Sequence, residues 1–484
     1  MRIYEINTRV HTKKFDEISD EELRSLRGMG FDAIWLMGVW QISRGVLRIS
    51  KLVSEDFEGS PYAVAEYKLS KQLGGKEQFR ALVGRAHRAG LLVFVDFVSN
   101  HMSLDSPWID KHPEFFITSN TRVRKQLISE YFLHASGEVV AFGKDPYFPP
   151  WHDTSQLDYS NPSLRVRMID VLKQISRLAD GVRCDMAMLV LRDYIRHQWY
   201  PLADQGWFDR RMPGEFWEQA IAEVKKSRST FLFLAEVYWD KEDELLRLGF
   251  DMTYEKKLYD GLVSRNAEQV KQRISRPIKS LSRSVFFLEN HDEQRAATVF
   301  KKPNNIAATA LILSLPGSTL IHEGQLEGAK EKLPVQVVKP SMPVAPDEDL
   351  KASYEELLRL TRSPDHVFEG GELIVFDTGA FGVVSFVRRH ERTVMYVGQI
   401  GDAWREFNTA ALDLTDICKK LGLGLGVRFT NLLSNAAHVV QPKEGRVVLQ
   451  PKDVGVDDSA AFCLLELESA ELEFEEEGGV WAVS

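Results

Sequence analysis

The chain is 484 residues long, 44% hydrophobic and 27% charged, with 61 Lys and Arg against 70 Asp and Glu. That length holds two or three domains and a large core, and a net charge of −9 without an extended basic cluster argues against nucleic acid or an anionic membrane surface as partner. Three cysteines at scattered spacing, Cys184, Cys418 and Cys463, argue against a disulfide framework and for a reducing compartment.

Residues 2–6 alternate and are β-rich, so a strand is expected at the start. Neither a signal-peptide pattern nor an apolar run of about 18 residues able to span a bilayer is present, and a cytoplasmic location is expected. Ser19-x-x-Glu22 is a capping box for a helix that Gly28 closes, and residues 31–40 follow as a buried strand. Phe79, Leu82, Val83 and Ala86 mark an amphipathic helix ending at Gly90. Residues 91–98 are then an apolar run broken only by Asp96. A stretch rich in aromatics and proline, 102–160, interrupts the pattern and is expected to form a small inserted subdomain. Strands resume at 181–188, 231–238, 249–254, 284–291 and 318–324, with helical sequence at 215–227. Eight strands apolar on both faces predict an α/β fold, a (β/α)8 TIM barrel over residues 1–365. After a helix at 354–361 the texture changes to short strands near 372–376, 381–388, 393–399, 427–432, 446–449 and 461–467. A C-terminal all-β sandwich over 366–484 is expected, with Glu475 to Glu477 as a solvated charge run.

Barrel active sites lie at the C-terminal ends of the strands. The third strand ends in Asp96-Phe-Val-Ser-Asn100-His101 and the fourth in Gly181-Val-Arg183-Cys-Asp185. The fifth ends in Leu234-Ala-Glu236, and the seventh in Glu289-Asn-His291-Asp292-Glu-Gln-Arg295. Strand alternation puts Arg183 and Asp185 on one face and Val182, Cys184 and Met186 on the other. An isolated R-x-D reads first as a structural ion pair. Four strand ends that bring carboxylates to one mouth, two of them with a neighbouring histidine, are not explained by fold maintenance.

Those four segments resemble the signature motifs of the α-amylase superfamily of glycoside hydrolases. Gln156-Leu157-Asp158, residues 249–254 and Pro316-Gly317 resemble further family segments, and the order of barrel, insertion and β domain is similar too. The resemblance implies a retaining hydrolase of α-glucosidic, chiefly α-1,4, linkages. A transglycosylase or isomerase with the same residues, or an inactive sugar-binding homologue, are the alternatives. It implies Asp185 as nucleophile and Glu236 as general acid/base with a pKa raised by neighbouring charge. Asp292 would stabilise the developing cation. The implied substrate-binding set is Tyr62, Asp96, His101, Arg183, His291 and Arg295. Within it Tyr62 would stack on the sugar, the two histidines would meet its hydroxyls, and Arg183, braced by Asp96, would aim Asp185. Trp40 and Trp151 are candidate cleft aromatics, Trp35 is expected in the core, and His322 to Gln325 face the same mouth. The family pattern departs at Met188 and Leu189, where many relatives bind sugar and structural calcium through Lys and His. Asn100 is then the one candidate calcium ligand, against the six to eight oxygens calcium takes, so no cofactor is required.

Overall fold

The computed structural model describes residues 1–9, 14–43, 59–119, 128–336, 345–362, 368, 370–423 and 426–470. Eight parallel strands close into a barrel in sequence order. They are β1 (Arg2–Asn7), β2 (Ala33–Met37), β3 (Leu92–Val98), β4 (Gly181–Asp185), β5 (Leu232–Ala235), β6 (Met252–Tyr254), β7 (Ser284–Phe286) and β8 (Ser318–His322). All eight expected barrel strands are present. Helices on the outside follow the sequence signals closely: Ser19 caps Asp20–Gly28 by accepting from the Glu22 N–H, and left-handed Gly90 ends Gly75–Ala89.

The strands are shorter than their apolar runs at the C-terminal end. β4 stops at Asp185 because Met186 turns into the left-handed region at φ 42°, so Met186 does not share a face with Cys184. β5 stops at Ala235 and β7 at Phe286, and the residues that follow leave the ladder to line the mouth. After β3 the chain enters the expected insertion, where His101–Ser103 pairs with Thr154–Gln156 and Tyr131–Leu133 with Val139–Ala141. Several helices carried no usable period in the sequence. Lys302–Ser314 is buried on nearly every side from Asn305 onward, so its residues are apolar all round.

Beyond the barrel lies a six-stranded antiparallel sheet in the order β9-β10-β11-β14-β12-β13. Its strands are β9 (Glu372–Phe376), β10 (Val383–Arg389), β11 (Thr393–Gln399), β12 (Val427–Asn431), β13 (Ala437–Val440) and β14 (Phe462–Ser469). Alternate residues serve different cores. Val384, Phe386, Val394, Tyr396 and Leu464 join the barrel core, while Val383, Val387, Met395, Val397 and Leu465 join a second one. That second core is closed by Thr415–Leu421 and the short pair Leu412–Asp413 and Val448–Leu449. On the barrel side, Tyr396 donates to the Ala307 carbonyl at 3.0 Å, and buried Arg388 donates to the Ser314 carbonyl at 2.9 Å, at the negative end of the 302–314 helix. Residues 475–477 lie outside the described residues. Among the described residues no helix is long and apolar enough to cross a membrane.

Candidate active site

The centre of the mouth is a guanidinium. Arg183 is fully buried, and its Nη1 donates to Asp185 Oδ1 at 2.8 Å and lies 3.6 Å from Asp96 Oδ1. Its Nη2 lies 2.8 Å from Glu236 Oε2. The parallel register pairs Arg183 with Asp96 across β4 and β3, and Glu236 follows directly after β5, so three neighbouring strands converge on one cation. The rings of Trp35, Tyr62 and Tyr254 surround it at 5.2, 5.2 and 5.8 Å from Cζ, which shields the charge from water and adds cation–π attraction. Arg183 and Asp96 were expected in the substrate-binding set. Both are buried, with Arg183 paired to Asp185 and its Nη1 3.6 Å from Asp96.

Two hydrogen bonds reach Glu236, from Tyr238 Oη to Oε1 at 2.7 Å and from the Met186 N–H to Oε2 at 2.7 Å, and Arg183 Nη2 stands beside Oε2 as its ion-pair partner. Burial and the Glu236 carboxylate push the Asp185 carboxyl well above its usual range, with Arg183 pulling the other way.

The left-handed turn at Met186 aims its N–H at Glu236, a conformation that costs a non-glycine residue about 1–2 kcal/mol. Met186→Gly therefore keeps turnover within about threefold, whereas Met186→Val, whose β-branch resists that region, lowers kcat about tenfold or more. Steady-state kinetics of the two variants side by side provides the check.

Across the mouth, His291 Nε2 lies 3.0 Å from Asp292 Oδ2 and 2.7 Å from Tyr62 Oη, with the Tyr62 ring stacked on the imidazole at 5.3 Å. Asp292 is 43% exposed, the most open of the three candidate carboxylates. Burial would raise its pKa, but His291 outweighs it and holds the carboxyl below the usual range. His101 follows β3, and its ring centroid is 5.1 Å from that of Trp151 in the insertion; burial holds its pKa down at about 3, so it is neutral. Trp35 is core, as expected, and Trp40 is buried too, donating to the Asp96 carbonyl at 2.7 Å.

Two further expectations are corrected. Arg295 was expected on a substrate hydroxyl; instead its guanidinium donates to Glu289, to His322 Nδ1 at 2.7 Å and to the Glu323 carbonyl at 2.9 Å, tying the ends of β7 and β8 together. Asn100 was the candidate calcium ligand. Its Oδ1 accepts from Gln156 Nε2 at 3.0 Å while its Nδ2 donates to Gln156 Oε1 at 3.2 Å, a reciprocal amide pair that commits both ends. Met188 and Leu189 supply no oxygen side chains, and among the described residues no group of three or more His, Cys, Asp or Glu is placed to hold a metal. Asn100 Oδ1, which accepts from Gln156, is the single side-chain oxygen the sequence named for a calcium ion, and calcium takes six to eight. A calcium chelator should leave the melting curve unmoved, while Asn100→Ala, which removes the donor to buried Gln156 Oε1 and leaves Nε2 on the Asn100 and Leu157 carbonyls, should cost about 1–3 kcal/mol in a denaturant titration.

Sequence reasoning missed Glu5 and Tyr238. Glu5 on β1 places Oε1 2.6 Å from His291 Nδ1. Its signal was a lone carboxylate in an otherwise apolar half of a barrel strand. Tyr238, two residues after Glu236, had no spacing signal. Lys332, which donates to the Asp292 backbone carbonyl, was also missed.

Residues 18–359 match the family model described as alpha amylase, catalytic domain. The chain is 25% identical over 342 residues to alpha-amylase MalA of Haloarcula japonica, an alignment covering 68% of this chain and 44% of that protein. It is 35% identical over 244 residues to an α-1,4-glucan:maltose-1-phosphate maltosyltransferase of Rhodospirillum rubrum, covering 48% of this chain and 30% of the relative. The chain thus spans less than half of either relative's length. Among solved structures, a maltogenic α-amylase, AmyB of Thermotoga neapolitana, superposes with a TM-score of 0.71 at 22% identity, covering 96% of this chain and 98% of that one.

Proposed function

The chain belongs to the α-amylase catalytic-domain family, and from that premise we propose that it is a retaining glycosidase acting on α-glucosidic linkages, α-1,4 in malto-oligosaccharides or storage-type glucans. One observation carries the reading: a single buried guanidinium touches both Asp185 and Glu236, at the ends of adjacent strands. Retention needs two carboxyls about 5–5.5 Å apart, and a shared cation enforces a short separation. Double displacement needs one ionised nucleophile and one protonated acid. With Asp185 ionised and Glu236 protonated, Asp185 attacks the anomeric carbon. The bond to the leaving oxygen breaks, and that oxygen takes the proton from Glu236. Water then gives a proton to Glu236 and its oxygen displaces Asp185, restoring the starting state. Asp292, ionised and exposed at the mouth, faces the positive charge that develops on the sugar.

The match to a maltosyltransferase favours a second reading, in which a sugar hydroxyl replaces water in the second step. One experiment separates the two: a malto-oligosaccharide of defined length is followed by chromatography and anomeric proton NMR. Shorter products alone, released first as the α-anomer, support the hydrolase. Products both longer and shorter than the substrate support the transferase. First release of the β-anomer, or no turnover of any α-linked glucan, overturns both. Three cysteines, all free and buried, support operation in a reducing compartment such as the cytoplasm.

A further inference from the structure

Glu5 is completely buried in the barrel, on a strand whose neighbouring residues Ile3 and Ile6 are core. A carboxylate in that position is costly to desolvate unless it is paired. Its partner is His291, whose Nδ1 lies 2.6 Å from Glu5 Oε1. The opposite ring nitrogen faces a second carboxylate, Asp292 Oδ2 at 3.0 Å, and the Tyr62 hydroxyl at 2.7 Å. A neutral imidazole has one N–H and one acceptor nitrogen. A neutral ring could donate from Nδ1 to Glu5 and accept the Tyr62 O–H at Nε2; the second carboxylate beside Nε2 favours an N–H there as well, and so the doubly protonated ring.

We propose that Glu5 is a positioning residue that holds His291 as a permanent imidazolium, making it a fixed cation and donor beside Asp292. Burial of the ring opposes this, but Asp292 and Glu5 outweigh it and push its pKa up to about 10. The groups that face the pair are Tyr62, Asp292, Arg183 on β4, Asp96 on β3 and His322 on β8. Glu5 itself is raised by burial and brought below its usual range by His291 and His322, so it stays ionised. Two consequences follow for the pocket. Asp292 keeps its charge into acid, because the cation beside it does not titrate near neutrality. A sugar hydroxyl that meets His291 Nε2 must accept, since the ring has no acceptor nitrogen. The catalytic part of this inference rests on the glycosidase reading; the protonation part does not.

Glu5→Gln preserves shape and leaves an amide oxygen to accept from Nδ1, but removes the charge. The protein is labelled with 13C at histidine Cε1 and titrated from pH 5 to 10, with the His291 resonance identified by its absence in His291→Gln. In the wild type the resonance holds the imidazolium shift through pH 9. In Glu5→Gln its midpoint falls by about two pH units. With a malto-oligosaccharide, kcat/KM of Glu5→Gln relative to wild type is within about threefold at pH 6 and down about tenfold at pH 9. An unchanged His291 midpoint overturns the proposal, as does a loss of activity equal at every pH. Should Glu5→Gln not fold, Asp292→Asn gives the same answer from the other nitrogen: with Glu5 present, His291 must still titrate above neutrality, and a return to an ordinary midpoint near 6.5 overturns the role assigned to Glu5. If the wild type turns over no α-glucan, the glycosidase reading fails and the titration alone decides the role of Glu5.

Discussion

Asp185→Asn abolishes turnover, by about 10⁴-fold or more, while the melting temperature stays level or rises. The carboxamide is nearly isosteric but cannot form the anion that attacks the anomeric carbon, so no covalent intermediate accumulates. Stability is spared because of what surrounds the residue. The Asp185 carboxyl is buried and its pKa is held up by burial and by Glu236, so a neutral group there relieves a conflict. Arg183 loses one partner yet keeps Glu236 at 2.8 Å and Asp96 at 3.6 Å, which avoids the cost of an orphaned buried cation. Product release from a malto-oligosaccharide and a calorimetric scan of the same sample test both halves. More than about 1% residual turnover would place the nucleophile elsewhere.

Glu236→Ala separates the two half-reactions. With a sugar as leaving group the first step loses its acid, and turnover falls by about 10³-fold, within the range general acid catalysis supplies. An aryl glycoside with an acidic leaving phenol needs no proton, so its first step survives and the glycosyl-enzyme accumulates as a burst. Azide needs no general base, so it attacks that intermediate and restores turnover, giving a glycosyl azide of the same anomeric configuration as the substrate. Failure of azide to rescue an otherwise folded variant would remove Glu236 from the acid/base role. The variant also leaves the Tyr238 hydroxyl and the Met186 N–H without their acceptor, so the melting temperature is expected to drop modestly.

The barrel was legible because each of its strands is a short apolar run, and the carboxylates were legible because Asp185 ends its strand while Glu236 and Asp292 follow the C-terminal ends of theirs. Asp185 and Arg183 needed only strand alternation to be placed together. What the sequence hid depends on contacts between distant positions. Glu5 and His291 are 286 residues apart, and no periodicity in β1 says which side chain will meet that carboxylate. Asn100 read as a potential ligand until Gln156, 56 residues on, turned out to hold both ends of its amide. Arg295 carried the right charge at the right end of β7, but pairing with Glu289 and His322 turned it away from substrate.

The C-terminal sheet has one more implication, for how this chain can vary. Neighbouring residues along β10 and β11 report to different interiors, so sensitivity to substitution should alternate with the pleat. Truncating Phe386 or Tyr396 opens a hole of about 3–5 kcal/mol against the barrel and its 302–314 helix. Val387 and Met395 lie one residue away and face the other core; losses there stop at the sheet. Sequence drift at those positions can remodel the outer layer while the catalytic barrel, on the far side of the same strands, never registers it.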